Sequence, residues 1–459
     1  MSLHSISPID GRYKKNTESL AQYFSEKGLM RYRVIVEGEY LIALSDLKLK
    51  LRKFTDKEKS LIRVLYDLKD DDAQAISDIE IKGYKNIKAT DHDVKAVEYF
   101  LKEKLKETSL LDVLEWVHFG LTSEDTNNLS YALMLRDGVE SLLEKQEKIA
   151  NQIKILAKKH SKLAMLARTH GQPASPTTFG KEFSVFYTRL ERQISGLRKQ
   201  TLYAKLNGAT GNYNAHVAAY PDINWLEFSK KFIESFNKSR TLKLELNLIT
   251  TQIEPHDSYI EIFDYIKRIN TILLDFNQDI WRYISDEWIV QKPVEETIGS
   301  STMPHKINPI KFENSEGNLG LANSLFEFFA RKLPISRLQR DLSDSTVQRN
   351  FGSAFAYCQV AYEYLLKGLS RIEVNKTKVL EELNKHPEVI SEAIQTILRR
   401  EGVKMPYEKL KDLTRGKVVT LADIHKFINT LEVSDKIKKE LLKIAPENYI
   451  GLASKLASR

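Results

Sequence analysis

Cysteine is almost missing from this chain. Cys358 stands alone, so no intramolecular disulfide can form, and within "FAYCQVAYEYLL" it reads as a buried core thiol. Proline and glycine are scarce too, with 12 and 19 in 459 residues. Long stretches therefore lack the residues that break helices, which favours a mostly α-helical protein. No run is long and apolar enough for a membrane span, and the polar start "MSLHSISPIDGRY" does not read as a signal peptide. The expectation is a cytoplasmic protein with no membrane partner.

What is present is ordinary for a globular chain: 42% apolar and 29% charged residues. The length suits about two to four domains. The net charge of +8 comes from 70 basic and 62 acidic residues that interleave along the chain. The densest basic run, Lys48 to Lys59, alternates with Leu and acidic residues. It reads as a solvated helix face rather than a nucleic-acid footprint. The excess would suit a small anionic substrate.

Apolar residues at Ile262, Ile266, Ile269, Leu273, Phe276, Ile280, Ile284 and Trp288 recur every three or four positions. That spacing predicts one amphipathic helix of about eight turns. Similar long helices are expected near 137–167, 178–206, 312–332 and 344–371. Such helices bury their stripes against one another, so the expected fold is all-α, with a central five-helix bundle. Shorter helices before residue 115 and after 370 give three expected domains: 1–115, 116–370 and 371–459. Breaks are expected at Pro387, Gly402 and Pro406.

Polar segments interrupt these helices. In "TDHDVKA", with His92 and Asp93 just ahead of a helix, Asp91 or Asp93 could cap that helix, or the histidine could bind an anion or steer a proton. In "HFGLTSEDTNN", Thr122 and Asp125 have capping-box spacing, while hydroxyls at a helix start can also hold phosphate or carboxylate. "LARTHGQPASP" reads as a helix ending at His170, with Gly171 as its stop. His170 there is either a charge on the helix dipole or a rigidly held acid. "TTQIEPHDSY" and "SRLQRDLSDSTVQRN" are further polar segments. In the second, Arg337, Arg340 and Arg349 flank Ser343, Asp344 and Ser345 as a phosphate site or as a salt-bridged turn. Finally, "GSSTMPHKINP" reads as a loop with a helix starting near Lys311. A serine there acts as a base only if neighbours such as Lys306 stabilise its alkoxide.

"GSSTMPHKINP" resembles the signature of the fumarase/aspartase superfamily. Together with "SPIDGRY", "HDVKAVEYFL", "TSEDTNN", "RTHGQPA", "TTQIEPHD" and "QRDLSDST", collinear from residue 7 to about 400, it resembles the adenylosuccinate lyase branch. The resemblance implies a three-domain helical subunit in a homotetramer, with sites built from three subunits. It implies fumarate release from adenylosuccinate, giving AMP, and from SAICAR, giving AICAR. Ser300 matches the general base and His170 the general acid. Lys306 and Asn308 match groups that hold the developing charge. His92 matches a second substrate histidine, with Asp93 beside it, and Glu313 a carboxylate that orients a histidine. Arg12, Tyr13, Thr122, Ser123, Gln252, Arg340, Ser345 and Arg349 match nucleotide and carboxylate contacts. No metal, organic cofactor or nucleic acid is implied. Asp91 stands where relatives often carry Asn, and is expected to cap its helix; Leu121 replaces a smaller residue. Argininosuccinate lyases, fumarases and cycloisomerases share the loop logic; His305 and the arginines at 340–349 discriminate against them. A non-catalytic scaffold is disfavoured by Ser300, Lys306 and His170 occurring together.

Overall fold

The computed structural model describes residues 3–292, 303, 306–416 and 418–459. Ser300, Ser301 and His305 lie outside these. The described chain is dominated by α-helices, and its six strands form three two-stranded pairs. Among the described residues six helices run 19 residues or more: Glu26–Ser45, Ser123–Lys159, Phe179–Leu197, Asp257–Ser285, Ile310–Lys332 and Phe351–Leu369. Among the described residues, no helix is long and apolar enough to cross a membrane.

The chain divides into two compact units, each discontinuous in sequence. One comprises 1–146, 193–271 and 317–363; the other comprises 147–192, 272–316 and 364–459. In the first, Phe263, Phe326, Phe329, Phe351 and Phe355 form a continuous ring cluster with centroids 5.1–5.8 Å apart. Beside it runs a buried polar ladder. Gln146 donates to the Tyr362 hydroxyl (3.0 Å), which donates to Asn270 Oδ1 (2.6 Å), and Asn270 Nδ2 donates to Asn323 Oδ1 (2.9 Å). Such a ladder penalises any slip of these helices, because a one-turn shift would strand several buried polar groups. Cys358 is fully buried against Asn270, and burial pushes its thiol up to about 12, so it is an inert core residue as expected.

The second unit holds an antiparallel hairpin, Ala164–Thr169 paired with Gln172–Thr178. Here the helix expected to end at His170 is corrected: the preceding helix stops at Lys159, and His170 sits at a hairpin tip. His170 and Gly171 both have positive φ (54° and 75°), a two-residue turn whose twist suits antiparallel strands. The run "AMLART" carries its buried residues consecutively, a pattern too short to tell strand from helix. The helix expected over 178–206 likewise ends at Leu197, and residues 201–204 form a strand. The 29-residue helix Asp257–Ser285 has the expected eight turns, but Trp288 lies beyond it.

Two local expectations also change. The Lys48–Lys59 run is irregular through Thr55 rather than one helix face; Leu51 and Phe54 are buried, and a capping box of Thr55 with Glu58 starts the next helix only at Asp56. Asp91 does not cap: it has φ 50°, and His92 is the N-cap, its Nδ1 accepting from Lys95 N–H (3.3 Å). Asn and Asp are the residue types that best tolerate this left-handed backbone, so an Asn-to-Asp exchange there is structurally mild. The breaks at Pro387, Gly402 and Pro406 fall where expected: Pro387 and Pro406 begin helical segments, and Gly402 follows one.

Gly180 lets the His170 hairpin close onto its flanking helices. A Cβ there would lie 2.3 Å from the Ala157 carbonyl oxygen and 2.5 Å from Ser161 Cα, both backbone atoms. Gly180→Ala is therefore expected to destabilise the protein by about 2–3 kcal/mol and to displace the hairpin. A thermal melt at wild-type temperature would contradict this.

Candidate functional site

The residues singled out above fall into both units. In the first unit, the start of the Ser123–Lys159 helix is the organising element. Ser123 Oγ lies 3.3 Å from His92 Nε2. Because His92 Nδ1 accepts the Lys95 N–H, the neutral ring carries its proton on Nε2, facing Ser123 and solvent. His92 is thus a rigid donor, held by helix capping and by sequence-adjacent backbone.

Asp93, one residue on, is gripped from two sides. Arg33 Nη2 donates at 2.7 Å and Arg349 Nη2 at 2.8 Å to the same Oδ2, while Val94 N–H donates to Oδ1. Burial alone would raise the Asp93 carboxyl, but Arg33, Val94 N–H and Arg349 together hold it below the usual carboxylate range. Arg33 also donates to Asn127 Oδ1 (2.8 Å), and Arg349 pairs with Glu26 (2.5 Å). In this arrangement Asp93 orients arginines.

Arg340 forms the third cluster. Its Nη2 lies 3.1 Å from Glu124 Oε2 and its Nη1 donates to Gln252 Oε1 at 3.3 Å, while Gln252 Nε2 donates to Ala209 O at 3.0 Å. The three arginines expected around Ser343–Ser345 therefore diverge. Arg337 turns onto Asp341, Arg340 onto Glu124, and Arg349 onto Asp93 and Glu26. Ser345 donates its N–H to Asp344 Oδ1 (2.7 Å). Arg12 is exposed in the turn ahead of the Lys14–Phe24 helix, with Tyr13 as that helix's N-cap.

Beneath this surface is a fully buried ion pair. Lys205 Nζ lies 2.6 Å from Asp125 Oδ1, and both side chains are 0% exposed. Asp125 also accepts N–H groups from Thr122 (2.9 Å), Asn207 (3.1 Å) and Gly208 (3.1 Å). Half of the expected capping box is real, then: Asp125 takes the Thr122 N–H, while the Asp125 N–H goes to the Thr122 backbone carbonyl. Further in, Glu124, His256 and Asp344 bring one ligand atom each within 4.8 Å of one another. The Arg340 guanidinium already supplies positive charge to this cluster. The sequence placed Asp344 in the segment read as a phosphate site or salt-bridged turn, and gave Glu124 and His256 no role. Arg33 and Glu26 carried no motif signal at all.

In the second unit, His170 is exposed at the hairpin tip. Lys306 is exposed, its N–H bonded to Met303 O (3.1 Å), and Gln291 Nε2 donates to Ile307 O (2.9 Å). Asn308 precedes Pro309, whose carbonyl accepts from Phe312 and Glu313 at the head of the Ile310–Lys332 helix. Glu313 accepts the Trp281 indole N–H at 3.1 Å.

Comparison with known proteins gives this arrangement a class. Residues 11–322 match the family model described as lyase, and residues 336–450 match that of the adenylosuccinate lyase C-terminal region. Two solved structures share the fold: a fumarate lyase from Mesorhizobium (TM-score 0.73, 16% identity) and a 3-carboxy-cis,cis-muconate lactonizing enzyme from Pseudomonas putida (TM-score 0.74, 18% identity). Each match covers 96% of both chains. Fold and motifs together define a helical lyase of the fumarase/aspartase superfamily.

Curated adenylosuccinate lyases run the whole length of the chain. That of Haemophilus influenzae is 47% identical over 100% of this chain and 99% of its own. Those of Escherichia coli K12 (47%) and Dictyostelium discoideum (48%) each cover 98% of this chain and 97% of their own. The chain belongs to the adenylosuccinate lyase family.

Replacing Lys205 by Met would leave Asp125 buried and unpaired, a loss of about 3–5 kcal/mol. The expected result is a lower urea midpoint, with Asp125→Asn/Lys205→Met losing less than the two single variants summed. Strict additivity would contradict the coupling.

Proposed function

We propose that the protein cleaves adenylosuccinate to AMP and fumarate, and SAICAR to AICAR and fumarate, in purine biosynthesis. The observation that carries this reading is the full-length likeness to adenylosuccinate lyases, at 46–48% identity. In the reaction Ser300 removes a proton from the succinyl Cβ. The electron pair delocalises into the adjacent carboxylate, where Lys306 and Asn308 stabilise the added charge. The C–N bond then breaks, the C=C bond of fumarate forms, and His170 protonates the departing nitrogen. His92 donates from Nε2 to the substrate, and Glu313 orients a histidine. Arg12, Tyr13, Thr122, Ser123, Gln252, Arg340, Ser345 and Arg349 recognise phosphate and carboxylates, with Asp93 at the substrate site orienting Arg349. The scheme uses no metal or organic cofactor.

The working form is a homotetramer with sites drawn from three subunits, each organised as domains 1–115, 116–370 and 371–459. One feature of the helix Ile310–Lys332 supports self-association. Gly317 and Gly320 are exposed, with open space where a side chain would stand, on a face shared with exposed Leu321 (50%), Ser324 and Phe328 (52%). Each mid-helix glycine costs about 1 kcal/mol relative to alanine, a cost offset where a second chain packs close. The buried free thiol suits a cytoplasmic setting.

Purified protein should release fumarate and AMP in equal amounts from adenylosuccinate; release only from argininosuccinate would overturn the assignment. Ser300→Ala should lower kcat by about 10²–10⁴-fold, and full turnover would move the base to Ser301.

A further inference from the structure

The charge around Arg340 does not balance if every group is ionised. Glu124 (2% exposed) and Asp344 (4% exposed) face one guanidinium between them, in a pocket that also holds the fully buried His256. His256 Nε2 meets the Gln348 side-chain amide at 2.7 Å, and the Leu333 carbonyl lies beside the ring. Burial, with Arg340 adding, pushes the ring down to about 4, so it is neutral at pH 7. It supplies no second positive charge. The neighbouring cation, Lys205, is already committed to Asp125. Lys332 and Asp341, one charge of each sign, also act on Asp344 and offset each other, so two buried carboxylates with one guanidinium leave a net negative charge away from water, and a retained proton is the cheapest way to remove it.

We propose that Glu124 is a positioning residue for Arg340, and that Glu124, buried beside Asp344, takes up a proton when an anionic ligand engages the Arg340 guanidinium. The inference rests on Arg340 meeting substrate, as in the preceding section. Ionised Glu124 draws the guanidinium toward the interior; protonated Glu124 keeps a hydrogen-bonding partner for it but releases the charge to the ligand. An anion on Arg340 in turn lowers the positive potential at both carboxyls, so ligand and proton bind with mutual assistance.

The surroundings of Glu124 fix the sign. Arg340 and, more weakly, Lys205 favour its ionised form; burial, Asp344 on the Ser343–Gln348 helix and Asp125 on its own helix oppose it. From the 254–259 segment Tyr259 also faces these groups, and its phenol is pushed up by burial and by Glu254 and Glu124. Burial dominates, and Glu124 is pushed up to about 8, with Asp344 also raised, chiefly by burial. Raised carboxyls are protonated below that value, so ligand affinity is expected to be high near pH 7 and to fall as pH rises through about 8.

The test is calorimetric titration of AMP into the assembled enzyme, in buffers of differing ionisation enthalpy. If the bound anion makes Glu124 tenfold less acidic, uptake is about 0.4 proton at pH 8, and affinity falls about fivefold between pH 7 and 9. Glu124→Gln should abolish the uptake and flatten the pH profile while retaining a hydrogen-bond acceptor for Arg340. Asp344→Asn, a second variant, should move the fall in affinity to lower pH, because Glu124 then shares Arg340 with no other carboxylate. Uptake that survives in Glu124→Gln, or no uptake in an enzyme that does release fumarate from adenylosuccinate, overturns the proposal while leaving the assigned reaction intact. An enzyme that releases no fumarate overturns the reaction first.

Discussion

The Asp125–Lys205 pair is the contact on which the first group of site residues depends. A carboxylate taken fully out of water is costly, and here the cost is offset by one ammonium and three backbone N–H groups. Those donors come from two places in the chain: the turn before the Ser123–Lys159 helix, and the 205–208 segment, where Gly208 adopts φ 83°. One carboxylate therefore fixes where that helix starts and how its first turn is rotated. Ser123 is aimed at His92 and Glu124 at Arg340 as a consequence. A second tie, Lys205 N–H to Asn128 Oδ1 at 2.9 Å, locks the same two segments one turn further along.

Around this fixed start, the polar surface is assembled from paired charges rather than free ones. Arg33 and Arg349 share Asp93; Arg340 is divided between Glu124 and Gln252. Arginine suits this because its planar fork can hold a protein partner on one edge and present the other. Rigid placement before ligand arrival is what electrostatic stabilisation of an anion requires, since groups already oriented need not reorganise. In the second unit, a two-residue turn does the same for His170, whose backbone is fixed by positive φ at both turn residues.

Much of this was legible in the sequence. Scarcity of proline and glycine announced helices, and the three-to-four spacing through Ile262–Ile280 gave the Asp257–Ser285 helix its length. The motifs identified the segments that matter, because they carry unusual polar residues at element ends. The two missed strands share one cause: short apolar runs look alike in a strand and in a helix. "AMLART" and "TLYA" became strands because each found a pairing partner, Gln172–Thr178 and Lys243–Leu246, that no local pattern reveals. Asp91 was misplaced by one residue, since His92 itself accepts the capping N–H. Arg33, Glu26 and Lys205 escaped notice because their importance is wholly tertiary: each acts on a residue 60 or more positions away.

In the proposed tetramer each site draws candidate residues from more than one subunit. Mixing two inactive variants tests this most directly, one altered at Arg340 in the first unit and one at His170 in the second. If the site takes these residues from different chains, tetramers re-formed from an equal mixture of Arg340→Ala and His170→Ala should recover about a quarter of wild-type fumarate release, because random association rebuilds that share of intact sites. Activity no greater than that of the two variants measured separately would contradict the account.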